Sequence, residues 1–301
     1  MRELSIHRTF GRQAFGLDPR GYHAARPPYP DWVFDVLRDR CGLAPNAVTF
    51  EIGAGTGTAT RRLLERGANP LIAVEPDGRL ASFLRSTFPD EALTVLTATF
   101  EEAALPEASF DLGLSATAFH WLAEDLALTK VVKLLRPGAW WAMVWNVFGD
   151  SQRPDPFHEA TKVLLSGPLS PSEGSGATPF ALDAPARLAA LERTQAFEDV
   201  EHRTSAWSLV LDPDQTVALY ATYSNVNIRP DREAVLAELR RIACDHFEGR
   251  VTRNMVTSLY IARRRPISST CIESPQHHHK LYGDRSTSGD NRSLLATGFT
   301  S

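Results

Sequence analysis

The sequence predicts an α/β fold in which a mostly parallel sheet is covered by helices on both faces. Three observations predict it. Short apolar runs alternate with helical patterns along the first half of the chain, and each run is nearly continuous, as in strands that are buried on both faces. A glycine-rich turn joins the first run to the next helix. Repeated strand and helix units of this kind indicate a doubly wound sheet.

The elements of the first half follow one another in order. A helix is predicted over Asp31–Arg40, because its apolar residues share one face and Pro30 stands near its start. Five strands are then predicted, over Ala47–Gly53, Pro70–Pro76, Leu93–Thr99, Phe110–Thr117 and Ala139–Asn146. The helices between them are predicted over Ala59–Arg66, Gly78–Phe88 and Glu124–Leu135, the last of which ends at a proline and a glycine.

The second half is less regular. We predict a helix over Pro156–Leu165, a mobile loop over Ser166–Pro179 where Gly, Ser and Pro dominate, a strand over Phe197–Leu211, a helix over Asp231–Phe247 and a closing strand over Thr257–Arg264. Residues 266–301 lack apolar periodicity and are predicted to be a disordered tail. Its run His277–His279 is not expected to bind a metal, because adjacent side chains do not converge on one ion.

Composition limits the class of protein. Lys and Arg total 32 against 36 Asp and Glu, so a net charge of −4 gives no reason to expect nucleic acid or an anionic membrane as a partner. The most apolar stretch, Ala139–Phe148, is too short to span a bilayer. Three cysteines without C-x-x-C spacing predict neither a disulfide framework nor a zinc site. We expect a cytoplasmic monomer or homodimer that acts on a small molecule.

A glycine-rich turn gives the strongest sign of a ligand. Gly53, Ala54, Gly55, Thr56 and Gly57 follow a predicted strand and precede a predicted helix. Glycines permit positive φ and let a ligand approach the backbone, although three glycines could also form nothing more than a tight turn. The spacing is G-x-G-x-G and not the G-x-G-x-x-G of dinucleotide-binding folds. Glu51, two residues before the turn, suits a ligand with an ammonium group better than a pyrophosphate.

Two further acidic positions follow successive strands. Glu75, next to Pro76, closes the second strand, where a carboxylate can accept both hydroxyls of a ribose or simply begin a helix. Phe100 and Glu101 follow the third strand and could hold an adenine ring and its amine, although Phe100 could equally belong to the core. The carboxyl ends of parallel strands share one edge, so these residues predict one nucleoside site.

These motifs together resemble the class I S-adenosylmethionine-dependent methyltransferases, in particular the small-molecule branch called type 11. The resemblance covers roughly residues 10–265 and rests on five segments: Glu51–Gly57, Val74–Pro76, Phe100-Glu101, Phe110–Leu112 through Phe119–Trp121, and Leu135–Gly138. It implies a Rossmann-like sheet of seven strands with the last strand antiparallel, so that Phe197–Leu211 and Thr257–Arg264 form the final pair. It also implies that an N-terminal segment within residues 1–45 folds over the cofactor and that residues 46–265 bind S-adenosylmethionine.

The resemblance implies a role for each site residue. Glu51 and the glycine turn face the methionine part, Glu75 with Pro76 the ribose, and Phe100 with Glu101 the adenine. Residues after the fourth strand, among them Ala116 and Phe119, line the cavity beside the sulfonium. Tyr22 and Arg26 are candidates to hold a carboxylate of the cofactor or of an acidic substrate, since a guanidinium binds carboxylates in bidentate fashion, or they are solvated flanking residues.

His120 is the candidate catalytic residue. It follows the fourth strand, where it could deprotonate a hydroxyl acceptor, hydrogen-bond a carboxylate, or merely pack against Trp121. We expect methyl transfer to a small-molecule acceptor by in-line displacement, with an oxygen acceptor and in particular a carboxylate favoured, under a lid near residues 166–180. The alternatives are a nicotinamide-dependent oxidoreductase and a nucleoside-binding regulatory domain without turnover.

Overall fold

The computed structural model describes residues 14–89, 92–167, 170–173 and 178–266. The predicted tail beyond Pro266, with its histidine run, and residues 1–13 of the N-terminal segment lie outside this range. Seven strands form one sheet: β1 Ala47–Ile52, β2 Ala68–Val74, β3 Leu93–Leu96, β4 Phe110–Ala116, β5 Leu135–Phe148, β6 Phe197–Leu211 and β7 Val251–Arg264. The helices are α1 Pro19–Ala25, α2 Asp31–Cys41, α3 Thr58–Glu65, α4 Gly78–Thr87, α5 Glu124–Leu134, α6 Pro156–Thr161, α7 Ala184–Arg193, α8 Pro213–Tyr220, α9 Ser224–Asn227 and α10 Arg232–Phe247.

The strand order in the sheet is β3-β2-β1-β4-β5-β7-β6. β1 pairs in parallel with both β2 and β4, so that Glu51 lies beside Ala73 on one side and Leu114 on the other. β7 runs antiparallel to β5 and to β6. The doubly wound sheet with an antiparallel last strand is therefore confirmed. The strand order reverses at β1 and β4, where ligands bind in folds of this kind.

Each face of the sheet is buried by helices. On one face, Phe50, Trp141 and Leu128 belong to an apolar core that α5 and α7 complete. On the other face, Leu112 and Val144 pack in a second core with residues of α2 and α3. Strands buried on both faces need apolar residues at successive positions, which explains the continuous apolar runs in the sequence.

A group of helices covers one end of the sheet. Residues of α6, α8, α9 and α10 form a third apolar core, which includes Phe157, Leu219 and Leu239 together with the strand ends at Leu211 and Val251. We call these four helices the cap. None of the helices in the described ranges is both long enough and apolar enough to cross a membrane.

Several boundaries differ from the prediction. β7 begins at Val251, where it pairs with Leu211, and not at the predicted Thr257. The predicted start is too late because Arg253 and Asn254 interrupt the apolar pattern in the sequence. β5 extends from Leu135 to Phe148, and α6 ends at Thr161, before the predicted Leu165. Helices α1, α7, α8 and α9 were not predicted from the sequence.

Candidate functional site

A cavity of about 520 Å³ lies at the carboxyl ends of β1, β2, β4 and β5 and extends to the cap. Most of the predicted site residues line it: Tyr22, Arg26, Glu51, Gly53, Ala54, Gly55, Thr56, Glu75, Pro76, Phe100, Ala116 and His120. Gly57, Glu101 and Phe119 are not part of its lining. The sheet therefore brings the glycine turn, both acids and the histidine to one space.

The glycine turn is fixed to β2 by its backbone. The amides of Gly53 and Ala54 donate to the carbonyl of Val74, at 2.8 and 3.3 Å. Gly53 and Gly55 have φ values of +67° and +58°, in the left-handed region. A Cβ at Gly53 would lie 2.4 Å from the Cβ of Ala118, whereas a Cβ at Gly55 would meet no atom within 4 Å. Gly53 thus allows a close approach inside the protein, and Gly55 leaves bare backbone beside the cavity.

Gly57 does not line the cavity, although the resemblance implies that it faces the methionine part of the cofactor. Its φ is +90°, and a Cβ there would lie 2.4 Å from the ring of Phe88 and 2.6 Å from Leu84. The position therefore needs glycine because the start of α3 packs against α4. Gly57 shapes the turn without contacting the cavity.

Glu51 is a buried carboxyl group at the base of the cavity. Its Oε2 accepts a hydrogen bond of 2.6 Å from the Thr60 hydroxyl. Burial raises the pKa of Glu51 to about 8, against the effect of this hydrogen bond and with a further contribution from the nearby Glu75. A cation that entered the cavity would favour the ionised form, so the residue fits a ligand that carries an ammonium group.

Glu75 is held in place by two backbone amides. Its Oε2 accepts from the Gly55 amide at 2.8 Å, and its Oε1 accepts from the Asp77 amide at 2.9 Å. Burial raises the pKa of Glu75 to about 7, and these two hydrogen bonds oppose the shift. Each carboxylate oxygen can accept more than one hydrogen bond, so both remain able to accept from a diol.

The segment after β3 forms another part of the cavity wall. Phe100 is buried, lies parallel to Phe50 at 6.4 Å between ring centroids, and also borders the cavity. Lys130 of α5 holds the segment, because its ammonium group donates to the carbonyls of Phe100, Glu101 and Ala103 at 2.6, 3.2 and 2.7 Å. The side chain of Glu101 is exposed and lies outside the cavity lining, which departs from the implied role in adenine binding.

Phe119 and His120 point in different directions after β4. Phe119 is fully buried against Trp141, with ring centroids 5.4 Å apart, so it belongs to the core and not to the cavity lining. His120 borders the cavity, and its Nδ1 accepts a 3.0 Å hydrogen bond from the indole N–H of Trp145. Since an indole nitrogen only donates, Nδ1 must be unprotonated and the proton of the neutral ring lies on Nε2.

The N-terminal segment lies against the cavity. The Arg26 guanidinium stacks on the rings of Tyr22, Phe148 and Tyr223, at 5.1 to 5.3 Å from their centroids. Its Nη2 donates to the Thr222 carbonyl at 3.0 Å. These contacts join the segment to the cap across the mouth of the site.

A strained residue anchors the same segment. Thr117 has a φ of +53°, which is unusual for a β-branched side chain. Its hydroxyl is 2.7 Å from that of Tyr29, and both residues line the cavity. The strain therefore lies at the predicted ligand edge of the sheet.

The predicted lid is only partly described. Ser170, Ser172, Glu173 and Pro179 line the cavity, whereas residues 168–169 and 174–177 lie outside the described ranges. A short 3₁₀ helix, Pro171–Glu173, stands where the sequence predicts a loop. The described part of the chain contains no group of three or more His, Cys, Asp or Glu residues placed to hold a metal ion.

Several cavity residues were missed by the sequence analysis. Asn146, Tyr220, Tyr223 and Arg253 all line the cavity; Tyr220 ends α8 and Tyr223 directly precedes α9, two helices that the sequence analysis did not predict. The one available signal was Arg253, which has the same strand parity as the buried Val251 and Met255. A charged residue at such a position indicates a buried ion pair or a site.

Comparison with known proteins identifies the central part of the chain. Residues 50–143 match the family model described as "Methyltransferase domain". An uncharacterized methyltransferase-like protein of Schizosaccharomyces pombe is 32% identical over 139 residues, which are 46% of this chain and 54% of that protein. An uncharacterized methyltransferase of Mycobacterium bovis is 35% identical over 137 residues, 44% of this chain and 52% of that protein. The chain thus spans about half the length of these relatives.

Solved structures share the fold. A protein of Anaeromyxobacter dehalogenans, assigned as a type II methyltransferase, superposes with a TM-score of 0.58 at 24% identity and covers 80% of this chain and 99% of its own. Phosphoethanolamine N-methyltransferase 2 of Haemonchus contortus, in complex with phosphomonomethylethanolamine and S-adenosylhomocysteine, superposes with a TM-score of 0.54 at 12% identity over 88% of this chain and 61% of its own. Residues 50–143 therefore match a methyltransferase domain, and the chain shares its fold with these two solved structures.

Proposed function

We propose that this protein transfers the methyl group of S-adenosylmethionine to an oxygen atom of a small-molecule acceptor, with a carboxylate as the favoured group. The match of residues 50–143 to a methyltransferase domain supports the cofactor. The hydrogen bond from Trp145 to His120 supports the choice of acceptor, because it determines which form of the histidine faces the cavity.

The cofactor end of the cavity fits an adenosyl ligand with an amino acid tail. Glu51 supplies a buried acid for an ammonium group, and Glu75 is oriented by two amides to accept from a diol. Gly55 presents backbone without a side chain beside them. Ala116 and Phe100 border the same space.

S-adenosylmethionine supplies a methyl group that its sulfonium has already activated for displacement. The protein therefore has to align the acceptor with that group and exclude water. Trp121, Trp145 and Phe180 surround His120, with ring centroids 5.3 to 6.2 Å apart where they pack. This aromatic enclosure excludes water from the place where the acceptor would lie.

The tautomer of His120 favours an acceptor that needs no base. With Nδ1 accepting from Trp145, Nε2 carries a proton and can donate to the acceptor but cannot take a proton from it. A carboxylate is ionised at neutral pH and is already nucleophilic, whereas a hydroxyl must lose its proton. We therefore assign His120 to binding and orienting the acceptor, and not to proton abstraction.

Calorimetry with S-adenosylhomocysteine tests the cofactor assignment. Glu75→Ala should weaken binding at least about 100-fold, because hydrogen bonds to a charged group contribute about 1.5–3 kcal/mol each. Glu107→Ala, which removes an exposed carboxylate on another loop, is the matched control and should bind as the wild type does. Unchanged affinity in Glu75→Ala would refute the site.

Turnover separates the proposal from its two rivals. The wild-type protein should transfer radioactive methyl groups from labelled S-adenosylmethionine to members of a panel of carboxylic acids. Binding of NAD in place of S-adenosylhomocysteine would indicate the oxidoreductase. Tight binding of S-adenosylhomocysteine without transfer to any acid, alcohol or amine would indicate the regulatory domain.

A further inference from the structure

The cavity changes character between its two ends. Glu51 and Glu75 lie at the end formed by β1 and β2. The other end, which we call the Arg253 pocket, is formed by Arg26, Tyr220, Tyr223 and Arg253, where the N-terminal segment and β7 meet the cap. One end thus suits a cationic ligand group and the other an anionic one.

Arg253 is buried and rigidly held. Only 1% of the residue is exposed, and its Nε donates to Asp155 Oδ2 at 3.1 Å. Its Nη1 donates to the Tyr220 hydroxyl. Asp155 is fixed in turn, because its Oδ1 accepts from the His158 amide at the start of α6. Among the described residues, no hydrogen bond involves Nη2 of Arg253, so this edge of the guanidinium stays available to a ligand.

Two neighbours of Arg253 also have unused donors. The Tyr223 hydroxyl is buried beside the Arg253 guanidinium but makes no hydrogen bond of standard geometry within the described part of the chain, and its ring lies 4.9 Å from that of Tyr220. The Arg26 guanidinium stacks on Tyr223, and its buried Nε likewise has no partner there. No ion pair joins Arg26 to a carboxylate of the described residues.

Electrostatics show that the three groups are close together. Burial raises the pKa of Tyr223, and the positive charges of Arg253 and Arg26, together with the contact between the Tyr223 hydroxyl and Arg253, oppose this shift. Buried donors without partners cost about 1–3 kcal/mol each, so proteins rarely retain them without a ligand or water. Glu173 also lines the cavity, but its 3₁₀ helix contacts Phe119–Trp121 on another wall.

We propose that the Arg253 pocket binds a second carboxylate of the methyl acceptor, distant from the oxygen that is methylated. A planar guanidinium edge and a phenol match the two oxygens of a carboxylate. The acceptor is then a small diacid, with one carboxylate beside His120 and the other beside Arg253 and Tyr223. This inference rests on the proposed function, since it presumes that the cofactor occupies the acidic end.

Binding of diacids to the protein saturated with S-adenosylhomocysteine tests the pocket. Calorimetry is run with the linear dicarboxylates from malonate to adipate, each against the monocarboxylate of the same carbon number. At least one diacid should bind about tenfold or more tightly than its monoacid partner, since a hydrogen-bonded charge is added. Equal affinity for diacids and monoacids throughout the series would overturn the proposal.

Tyr223→Phe is the informative variant, because it removes a hydroxyl that makes no hydrogen bond of standard geometry and should leave the fold intact. It should weaken the preferred diacid about tenfold and leave the affinity for S-adenosylhomocysteine unchanged. Arg253→Lys, which keeps a charge beside Asp155, should weaken the diacid further. Tyr260→Phe is the matched control: it removes a buried hydroxyl that donates to the Ala181 carbonyl at 2.9 Å, and it should retain the diacid affinity.

The results distinguish failure of this inference from failure of the proposed function. If S-adenosylhomocysteine does not bind, the proposed function is wrong. If it binds but diacids show no preference, only the pocket is wrong. If Tyr223→Phe weakens S-adenosylhomocysteine as much as the diacid, the pocket holds the carboxylate of the cofactor and the proposal is overturned.

Discussion

Glu51 should release a proton when the cofactor product binds. With a pKa of about 8, this buried carboxyl is mostly protonated at pH 6.5. An ammonium group placed beside it would favour the carboxylate and lower its pKa toward the usual value of 4.5. Binding of S-adenosylhomocysteine should then release about one proton from this residue.

Calorimetry at pH 6.5 in buffers of different ionisation enthalpy measures that proton. The observed binding enthalpy should change linearly with the buffer enthalpy, and the slope gives the number of protons released. Glu51→Gln, which can still accept from Thr60, should bind more weakly and release about one proton fewer. Glu75→Gln is measured in parallel, because Glu75 has a pKa of about 7 and contributes its own share. A slope that is the same in wild type and Glu51→Gln would refute the reasoning.

The same residue should make the ligand-free protein less stable in alkali. Its folded-state pKa lies above the unfolded value of 4.5, so the folded state binds more protons between pH 4.5 and 8 and stability falls as pH rises through that window. At pH 8 the cost reaches up to about 4 kcal/mol, at 1.36 kcal/mol for each pH unit that separates the two pKa values. Glu51→Gln should therefore raise Tm at pH 8 and leave the Tm at pH 4.5 nearly unchanged.

Three other substitutions test single contacts. Gly55→Ala should weaken the binding of S-adenosylhomocysteine at least about tenfold in calorimetry, because φ is +58° and the Cβ would enter the ligand space. The control Gly249→Ala, at φ +70° outside the cavity, should cost only about 1–2 kcal/mol of stability. Lys130→Met removes the hydrogen-bond donor to three carbonyls and should lower the free energy of unfolding in urea by about 1–3 kcal/mol. An unchanged free energy of unfolding would show that water replaces the ammonium group. Trp145→Phe removes the donor to His120 and should reduce kcat about tenfold without changing the affinity for S-adenosylhomocysteine. A loss of that affinity with an unchanged kcat would contradict the assignment of His120 to orienting the acceptor.

The central strands were predictable because they are buried on both faces. Continuous apolar runs identified β1 to β5, and the resemblance supplied the antiparallel order of the last strands. The missed helices are short, and their cores depend on partners distant in sequence. The sequence nevertheless contains signals for the starts of three of these helices. Asp18, Asp183 and Asp212 each cap a helix that has proline in its first turn, and Asp212 forms a capping box with Gln215.

The site was predictable only where backbone geometry demands particular residues. Glycines in a strand-to-helix turn and acids at strand ends are visible in a sequence, so Gly53, Gly55, Glu51 and Glu75 could be named as candidates, and all four line the cavity. Gly57 shows the limit, since its glycine is required by contact with Phe88 on another helix. Tyr223 illustrates the same limit, because no feature of the neighbouring sequence distinguishes a tyrosine that lines a cavity from one in the core.

Two long strands that pair with each other, β5 and β7, have ends beside the cap. Asn146 and Phe148 lie at the end of β5 and Arg253 near the start of β7, and all three line the cavity. Glu51 and Glu75, by contrast, lie at the ends of the short strands β1 and β2. Under the proposed function, substitutions in the cap would therefore change the acceptor end of the cavity and leave the cofactor end as it is.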